Sequence, residues 1–326
     1  MTLSTHATDL QATAPSIPLA LDEVGVTGVV RGIVLGDPGA PTTATFDVAA
    51  ALGDDARGAH MSRFHEAIDH ALALVAEEGR DVPSLPVLAT VVATRAADLQ
   101  GSARARARVS ATVAWPRTSP ASARRTVDPF DTWAEVVVDR TDSGPRTRAT
   151  IGVRATGMTA CPCAQNLVRE SARERMAADG LDDSTIAQVL ESLPVATHNQ
   201  RSTGTIELTV PGNGAVDSIV DPVELARLVR ESMSAQVHEL LKRDDELAVV
   251  EAAHADPRFV EDCVRALVRD ALSDPVLAPV LAPNAVLHVH QVNHESIHAH
   301  DVAAHRTGTV ARLRDELQGD VPIDPA

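Results

Sequence analysis

Hydrophobic positions recur along this chain with two periods, and each period predicts a different kind of element. In the first half, alternation with a period of two predicts strands over residues 24–36, 42–50, 104–115 and 131–141. Two helices are predicted between these strand pairs, over residues 60–79 and 85–99. The apolar face of the first helix consists of Phe64, Ile68, Leu72 and Val75. The predicted order is therefore β-β-α-α-β-β.

The second half repeats this order with an insertion. Strands are predicted over residues 148–157, 203–212, 284–293 and 306–315. A helical insertion, Ala164–Ala178 and about Thr185–Leu193, separates the first two of them. One long helix is predicted over residues 221–243, because Asp221 is a ready N-cap and Pro222 suits the first helical position. A second helix is predicted over residues 256–272, starting in the same way at an Asp-Pro pair.

The two copies of this order predict an α+β fold of two tandem β-β-α-α-β-β modules, with antiparallel sheets and helices on one face. Residues 1–22 are predicted to be a flexible N-terminal segment. Residues 23–143 are expected to form the first module, and residues 144–326 the second, which carries the candidate ligands described below.

The composition narrows the class of protein. Hydrophobic residues make up 44% of the 326 residues but aromatic residues only 2%, so the core must be built from Val, Leu, Ala and Ile. The net charge of −16 disfavours a general nucleic-acid binder. Because no run of 18 apolar residues occurs, no membrane span is expected. The first residues lack the basic and apolar regions of a secretion signal, which makes the cytoplasm the expected compartment.

Two of the three cysteines, Cys161 and Cys163, flank a single proline, and His198 follows Cys161 by 37 positions. The pair could be a disulfide remnant, two buried small side chains, or half of a metal site that His198 completes. The close spacing argues against a disulfide framework. A thiolate and an imidazole are good ligands for zinc or ferrous iron, but free cysteines often simply pack. Cys263, on an apolar helix face, is predicted to lie in the core.

Carboxylates and histidines add further candidates. The charged stretch 242–246 is typical of a solvated helix end, whereas Glu261 lies among core residues and is a candidate functional carboxylate. Five histidines occur within thirteen residues: His288, His290, His294, His298 and His300. We interpret His288 and His290 as residues of a surface strand. Glu295, His298 and His300 follow this strand, in a position where functional groups are often displayed.

Seven segments together resemble one family, the type IB GTP cyclohydrolases, including their archaeal, iron-dependent branch. These segments are "IPLALDEVGVTGV", "GAHMSRFHE", "TACPCAQ", "ATHNQRS", "LLKRDDE", "PRFVEDCVR" and "HESIHAHD". The resemblance implies a tandem tunnelling fold (T-fold) and a homotetramer with its sites between subunits. It also implies a hydrolase acting on a cyclic amidine, which opens the imidazole ring of GTP at C8 and releases formate.

The resemblance also implies roles for individual residues. Cys161, His198 and Glu246 would be the ligands of one divalent metal, with Fe²⁺ preferred and Mn²⁺ or Zn²⁺ as alternatives; no nicotinamide cofactor is expected. Cys161 and either His298 or His300 would be catalytic, with the histidine transferring a proton, and Glu261 would anchor the guanine. The candidates for the triphosphate are the basic residues of the motifs: Arg63, Arg201, Lys242 and Arg243. Cys163 could assist Cys161 or simply pack.

The sequence leaves two questions open, the product and the reaction. The first is the product: 7,8-dihydroneopterin triphosphate is expected, and the alternative is the 2′,3′-cyclic phosphate of the archaeal branch, which the 37-residue spacing resembles. The second is the reaction. In a T-fold nitrile reductase, Cys161 would instead attack a deazapurine as a nucleophile. A non-catalytic purine-binding relative is the third alternative.

Overall fold

The protein is described here by a computed structural model, which covers residues 9–35, 40–77, 84–212 and 220–319. The strands are β1 Leu21–Leu35, β2 Ala40–Leu52, β3 Arg104–Thr118, β4 Arg125–Thr141, β5 Gly144–Ala160, β6 Asn199–Pro211, β7 Ala235–Gln236, β8 Val286–Asn293 and β9 Val302–Thr309. The helices are α1 Met61–Glu77, α2 Leu85–Gln100, α3 Pro162–Ala178, α4 Asp183–Ser192, α5 Pro222–Glu231, α6 Arg243–Ala255, α7 Val260–Ser273 and α8 Val310–Gln318, with a short 3-10 helix at Ala278–Val280.

The predicted α+β fold with two β-β-α-α-β-β modules is confirmed. The first half runs β1-β2-α1-α2-β3-β4, and the second half contains β5, β6, α5, α7, β8 and β9 in that order. The predicted helical insertion between β5 and β6 is present as α3 and α4. The hydrogen-bonded strand order is β1-β2-β3-β4-β5-β6-β8-β9, and β7 pairs with β5. The registers that define β1–β2, β2–β3, β5–β7 and β8–β9 are all antiparallel.

Contacts between Cα atoms divide the chain into two compact units. The first holds the described residues of Met1–Val113, Thr132–Ile151 and Thr209–Ile219, and the second holds those of Ala114–Asp131, Gly152–Leu208 and Val220–Ala326. The predicted module boundary at residues 143 and 144 stays a prediction, as does the flexibility of residues 1–22. No helix among the described residues is both long enough and apolar enough to cross a membrane.

The core of the first unit lies between α1, α2 and the strands β2 and β3. Phe46 of β2 is opposite Val109 of β3, and both are fully buried. Phe64 and Ile68 of the predicted apolar face of α1 are also fully buried, and Leu72 packs against the same cluster. The side chain of Val75 and the predicted helix end at Gly79 lie outside the described residues. Many alanines complete this core, which agrees with the low aromatic content.

The second unit is built around α7, which contacts β8, β9, α5 and α8. Its apolar positions follow the helical period, and Cys263 among them is buried, as predicted. Burial raises the pKa of the Cys263 thiol to about 12, so this cysteine is an inert part of the core. The helix starts at Val260 instead of the predicted Asp256, because the backbone of Arg258 is held in an extended segment by hydrogen bonds to Ala160 O (3.0 Å) and Ser234 Oγ (3.1 Å).

The prediction of one helix over residues 221–243 is wrong. The Asp221 N-cap is confirmed, but α5 ends at Glu231 and the chain then forms the short strand β7, which pairs with Gly157 and Met158 of β5. The Ser232 hydroxyl bonds to Val229 O (2.8 Å), a local bond of the kind that competes with helix continuation. The charged stretch after β7, predicted to be a helix end, is instead the start of α6.

A buried polar cluster explains why the chain leaves the helix at this point. The Arg117 guanidinium donates to Gln236 Oε1, and Glu239 N donates to Asp128 Oδ1 (3.1 Å). Asp128 also lies 3.7 Å from the ring of His238, and desolvation by burial lowers the pKa of that imidazole. These contacts require residues 235–239 to run beside β3 and β4 instead of continuing α5.

The predicted strand over residues 306–315 is only partly right. Strand β9 begins earlier, at Val302, and ends at Thr309, where α8 begins. The Thr309 hydroxyl caps this helix by accepting from Arg312 N (3.3 Å), and Gly319 ends it in the left-handed conformation at φ 80°. Val310 and Leu313 are both buried, which suits the i,i+3 spacing of a helix.

Candidate active site

One cavity in the second unit, with a volume of about 250 Å³, brings together side chains from five of its segments. They come from the end of β5, the start of β6, the start of α7, the end of β8 and the loop from β8 to β9. The lining residues are Cys161, His198, Gln200, Arg258, Phe259, Val260, Glu261, Asn293, Glu295, His298, His300 and Val302. Five of the residues singled out in the sequence therefore meet in one place: Cys161, His198, Glu261, His298 and His300.

Cys161 stands where β5 ends and α3 begins. It is the N-cap of α3, and its Sγ accepts a hydrogen bond from Ala164 N (3.4 Å). Its backbone N donates to His198 O (3.1 Å), and the Thr197 hydroxyl donates to Cys161 O (2.8 Å). These bonds tie together two segments that lie 37 positions apart in the sequence. The neighbouring Cys163 is exposed and does not line the cavity.

The helical insertion between these two segments is closed by Gln165, a buried residue of α3. Its amide donates to Val195 O (3.0 Å) and to His254 O at the end of α6 (2.7 Å). Ile186, Leu190 and Val195 form a small core of their own beneath the insertion. The insertion is therefore a packed element whose contacts fix the position of the segment that leads to His198.

His198 is held from one side by Gln200, whose Oε1 lies 3.1 Å from the ring Nδ1. His198 directly precedes β6 and Gln200 is the second residue of this strand, and both side chains line the cavity. Glu295 Oε2 lies 3.9 Å from the same Nδ1, just beyond hydrogen-bond range. The Glu295 side chain is only 8% exposed, and its Oε2 has no hydrogen-bond partner among the described residues.

His298 and His300 lie in the loop from β8 to β9 and are exposed at the mouth of the cavity. Their rings stack with centroids 5.3 Å apart and an interplanar angle of 19°. His298 also presents its edge to His198, with centroids 6.4 Å apart. His298 is thus placed between the candidate ligand His198 and solvent, a suitable position for proton exchange.

Glu261 belongs to the first turn of α7. It also lines a second cavity of about 440 Å³, whose apolar wall includes Val264, Val268 and Leu313. A carboxylate at the boundary of a polar cavity and an apolar one can accept hydrogen bonds from the polar edge of a planar ring whose faces contact apolar side chains.

The other residues predicted for the site lie elsewhere in this single chain. Glu246 is exposed in the first turn of α6, about 12 Å along the helix axis from His254, and it does not line the cavity. Lys242 and Arg243, at the start of α6, and Arg201, on the opposite face of β6 from Gln200, are exposed. Arg63 belongs to the other unit, in the first turn of α1. Their assignments stay predictions.

The donor chemistry of Cys161 and His198 suits a divalent transition metal. Within the part of one chain that the structure describes, however, no three His, Cys, Asp or Glu side chains are close enough together to hold an ion. Cys161 and His198 line the same cavity, whereas Glu246, the third ligand that the resemblance implies, does not line it.

Two residues of the cavity were missed as site residues in the sequence. Glu295 follows the strand together with His298 and His300, but the resemblance gives a role only to the histidines; a carboxylate between a strand and a pair of histidines is itself a signal. Gln200 belongs to the segment "ATHNQRS", to which the resemblance gives no role beyond His198 and Arg201. Its i,i+2 spacing from His198 is a signal, because in an extended chain such side chains point to the same side.

Comparison with known proteins shows the family of the chain. Residues 7–304 match the model of a family described as Type I GTP cyclohydrolase folE2. The chain belongs to this family. Membership favours the cyclohydrolase over the nitrile reductase and the non-catalytic relative. All of the residues that line the cavity fall within the matched range.

Relatives match over nearly the whole chain. GTP cyclohydrolase MptA of Methanoregula boonei is 38% identical over 316 residues, which cover 96% of this cyclohydrolase and 94% of the relative. GTP cyclohydrolase MptA of Methanothermobacter thermautotrophicus is 37% identical over 314 residues, with coverage of 95% and 96%. The crystal structure of a uricase from Bacillus fastidious covers 91% of this chain and 96% of its own with a TM-score of 0.51, and at 8% identity it shows the T-fold alone.

Proposed function

We propose that this protein is a metal-dependent GTP cyclohydrolase that hydrolyses the imidazole ring of GTP at C8 and releases formate. The observation that carries the proposal is the single cavity in which Cys161, His198, Glu261 and His298 meet from four separate sequence motifs. Family membership makes GTP the expected substrate.

Cys161 and His198 would hold the divalent metal, for which Fe²⁺ is the first choice and Mn²⁺ or Zn²⁺ the alternatives. When bound, such an ion supplies Lewis acidity that makes water a usable nucleophile near neutral pH. The bonds from Cys161 N to His198 O and from the Thr197 hydroxyl to Cys161 O support this role, because they hold the two segments together at one cavity without an ion. The open side of the cavity leaves room for water and substrate.

Glu246 would complete the ligand set from a second copy of the chain. In a single chain it projects from an exposed helix, next to Leu247 and Val250, which are 57% and 48% exposed. Apolar side chains at i and i+3 on an exposed helix face are typical of a surface that another protein covers. A homo-oligomer, which we expect to be a tetramer, would bury this face and deliver the carboxylate.

The remaining residues of the cavity would bind and protonate the substrate. Glu261 can accept hydrogen bonds from both N1–H and the 2-amino group of guanine, and this contact would orient the imidazole half of the purine toward Cys161 and His198. His298 can hand a proton to the ring nitrogen as the C8–N bond breaks. The exposed basic residues Arg201, Lys242 and Arg243 are candidates for the triphosphate.

For the product we propose 7,8-dihydroneopterin 2′,3′-cyclic phosphate. The full-length similarity to archaeal proteins named MptA and the 37-residue spacing between Cys161 and His198 both support the archaeal branch over the triphosphate-forming one. Recovery of 7,8-dihydroneopterin triphosphate as the final product would reject this assignment while leaving ring opening intact.

The experiment is an anaerobic assay of the purified protein with GTP and Fe²⁺, Mn²⁺ or Zn²⁺, with formate measured and the product identified by mass. Cys161→Ala and His198→Ala should abolish formate release, whereas the matched variants Cys263→Ala and His288→Ala should retain it. Wild-type turnover in either ligand variant would remove the metal assignment.

The second-copy role of Glu246 has its own test. Cys161→Ala and Glu246→Ala are each expected to be inactive alone. If Glu246 acts across an interface, mixing the two and allowing subunit exchange should restore a fraction of the activity, because some sites then combine an intact Cys161 with an intact Glu246. Exchange confirmed by mass without any recovery would place Glu246 in the site of its own chain or outside the site.

A further inference from the structure

A buried row of polar side chains leads from the end of β8 to the ring of His198. Its members are Asn293, Ser202, Thr159 and Gln200, and none of them is more than 7% exposed. Ser202 Oγ is hydrogen-bonded to Asn293 Oδ1, and Thr159 Oγ1 lies 3.3 Å from Ser202 Oγ. Gln200 Nε2 lies 3.0 Å from Thr159 Oγ1, and His198 Nδ1 lies 3.1 Å from Gln200 Oε1.

The number of hydrogens that each group can donate determines which group donates and which accepts in every bond of this row. Each hydroxyl has a single hydrogen to donate. Ser202 donates its hydrogen to the carbonyl oxygen of Asn293, so toward Thr159 it can only accept. Thr159 therefore donates to Ser202 and can only accept from Gln200. This places the amide NH₂ of Gln200 against Thr159 and its carbonyl oxygen against His198.

A carbonyl oxygen only accepts, so the hydrogen of this bond has to be on Nδ1 of His198. We propose that the row acts as a relay that fixes His198 in the Nδ1–H tautomer and leaves the lone pair of Nε2 free for a ligand. In water the two neutral tautomers of histidine interconvert, and a hydrogen bond at one ring nitrogen decides which nitrogen can bind a metal. Gln200 and Thr159 are then positioning residues.

The relay also explains why the Glu295 carboxylate has no hydrogen bond to His198. Its Oε2 is the other acceptor near Nδ1, but at 3.9 Å it is too far for a hydrogen bond, whereas Gln200 Oε1 is within range. Because the amide holds the Nδ1 hydrogen, the buried carboxylate stays unpaired and available to groups that enter the cavity. The ligand role of His198 rests on the proposed function, but its tautomer does not.

The tautomer can be read directly by solid-state NMR of metal-free protein labelled with ¹⁵N-histidine, with the His198 signals assigned from their absence in His198→Gln. The wild type should show Nδ1 protonated and Nε2 bare. Thr159→Val removes the acceptor for the Gln200 amide, so the amide can turn over and both tautomers should appear. Thr159→Ser should restore the single tautomer.

A Co²⁺ titration, read by the thiolate–cobalt absorption, provides the second measurement. Thr159→Val should raise the dissociation constant about 10-fold or more, the range seen when a group behind a metal ligand is lost, and Thr159→Ser should reverse the effect. Thr150→Val serves as the control for the substitution itself, because it removes a threonine hydroxyl that contacts another hydroxyl (2.8 Å to Thr209) elsewhere in the chain. Ser202→Ala frees the Thr159 hydroxyl to donate to Gln200, and it replaces Thr159→Val if that variant does not fold.

The outcomes separate the two proposals. A wild-type His198 protonated at Nε2, or a tautomer that is unchanged in both Thr159→Val and Ser202→Ala, overturns the relay. If the tautomer behaves as expected but Cys161→Ala and His198→Ala bind Co²⁺ as tightly as the wild type, the relay stands and the metal assignment fails.

Discussion

Gly157 of β5 lies where one added methyl group should disturb the packing of the strand that leads to the candidate active site. A Cβ atom built on Gly157 would lie 2.4 Å from Met233 Sδ, 3.2 Å from Ala235 O and 3.4 Å from Met233 Cβ. Gly157 also pairs with Gln236 of β7, and β5 continues from here to Thr159 and Cys161. The variant Gly157→Ala therefore pushes β7 and Met233, which lies two residues before β7, away from the strand that leads to the thiol.

The magnitude follows from the distances. Met233 Sδ has to retreat by about 1 Å to reach ordinary contact, and because Met233 is 3% exposed its side chain has little room to do so. Overpacking of this kind costs about 1–3 kcal/mol, and the removal of a glycine from a strand offsets about 0.5–1 kcal/mol of that. We expect a net loss of about 1–2 kcal/mol in the free energy of unfolding.

A double-mutant cycle identifies the cause. Met233→Ala alone should cost about 2–5 kcal/mol through the space it leaves, but in that background Gly157→Ala should be neutral or stabilising, since its methyl group enters that space. Urea unfolding at one fixed protein concentration, followed by fluorescence of Trp115 and Trp133, gives the four free energies. Gly32→Ala is the control, because a Cβ at Gly32 meets nothing within 4 Å.

Additive effects of the two substitutions would refute this reasoning, because they would show that the Gly157 methyl group and Met233 do not compete for the same space. A loss in Gly32→Ala as large as that in Gly157→Ala would refute it as well, since the cost would then belong to strand glycines in general.

Three other predictions follow from single contacts. Asp245→Ala should lower the urea midpoint, because the buried carboxylate accepts hydrogen bonds from Ala121 N, Ser122 N and Lys242 N. Burial acts to raise the pKa of Asp245, but these bonds hold it below its ordinary value of 3.8. The stabilisation by Asp245 is therefore complete above pH 3.8, and the difference in midpoint between wild type and variant should shrink as the pH falls below that value. Gln165→Leu leaves two carbonyl oxygens without a donor and should cost about 1–3 kcal/mol, which urea unfolding can compare with the exposed control Gln188→Leu. Iodoacetamide at pH 8 should label the exposed Cys163 in the native protein and reach Cys263 only after unfolding, as peptide masses would show; rapid native labelling of Cys263 would contradict its burial.

The element order could be predicted from the sequence because strand and helix periods are local properties. Phe46, Phe64 and Ile68 occupy the buried faces that their spacing indicates. The errors arise where a distant partner decides the local structure. Residues 232–241 keep a helical apolar period, but Gln236 is bound by Arg117 and Ala235 pairs with Met158, and neither partner can be seen from the local pattern.

The same distinction applies to the candidate site. Cys161, His198, Glu261 and His298 could be named from short motifs, and the structure brings them into one cavity. Glu295 and Gln200 lie beside His198 because of where the chain runs after β8 and at the start of β6, and the local sequence does not reveal this proximity. Glu246 shows what the structure of one chain leaves untested. Its motif indicates a candidate ligand, but in a single copy of the fold this residue lies on an exposed helix.

The candidate ligands of the second unit fall into two groups, one fixed within a single chain and one exposed on α6. The backbone bond from Cys161 N to His198 O and the buried row behind His198 depend only on residues of one chain. Under the proposed function, two of the three candidate ligands would therefore be ordered before assembly. The carboxylate on α6 and its apolar neighbours are exposed and would become ordered at an interface. Because a thiol and an imidazole alone hold a divalent ion weakly compared with three ligands, a site divided in this way would bind metal tightly only in the assembled protein. Metal affinity should therefore fall on dilution into monomers, and an affinity independent of protein concentration would argue that all the ligands belong to one chain.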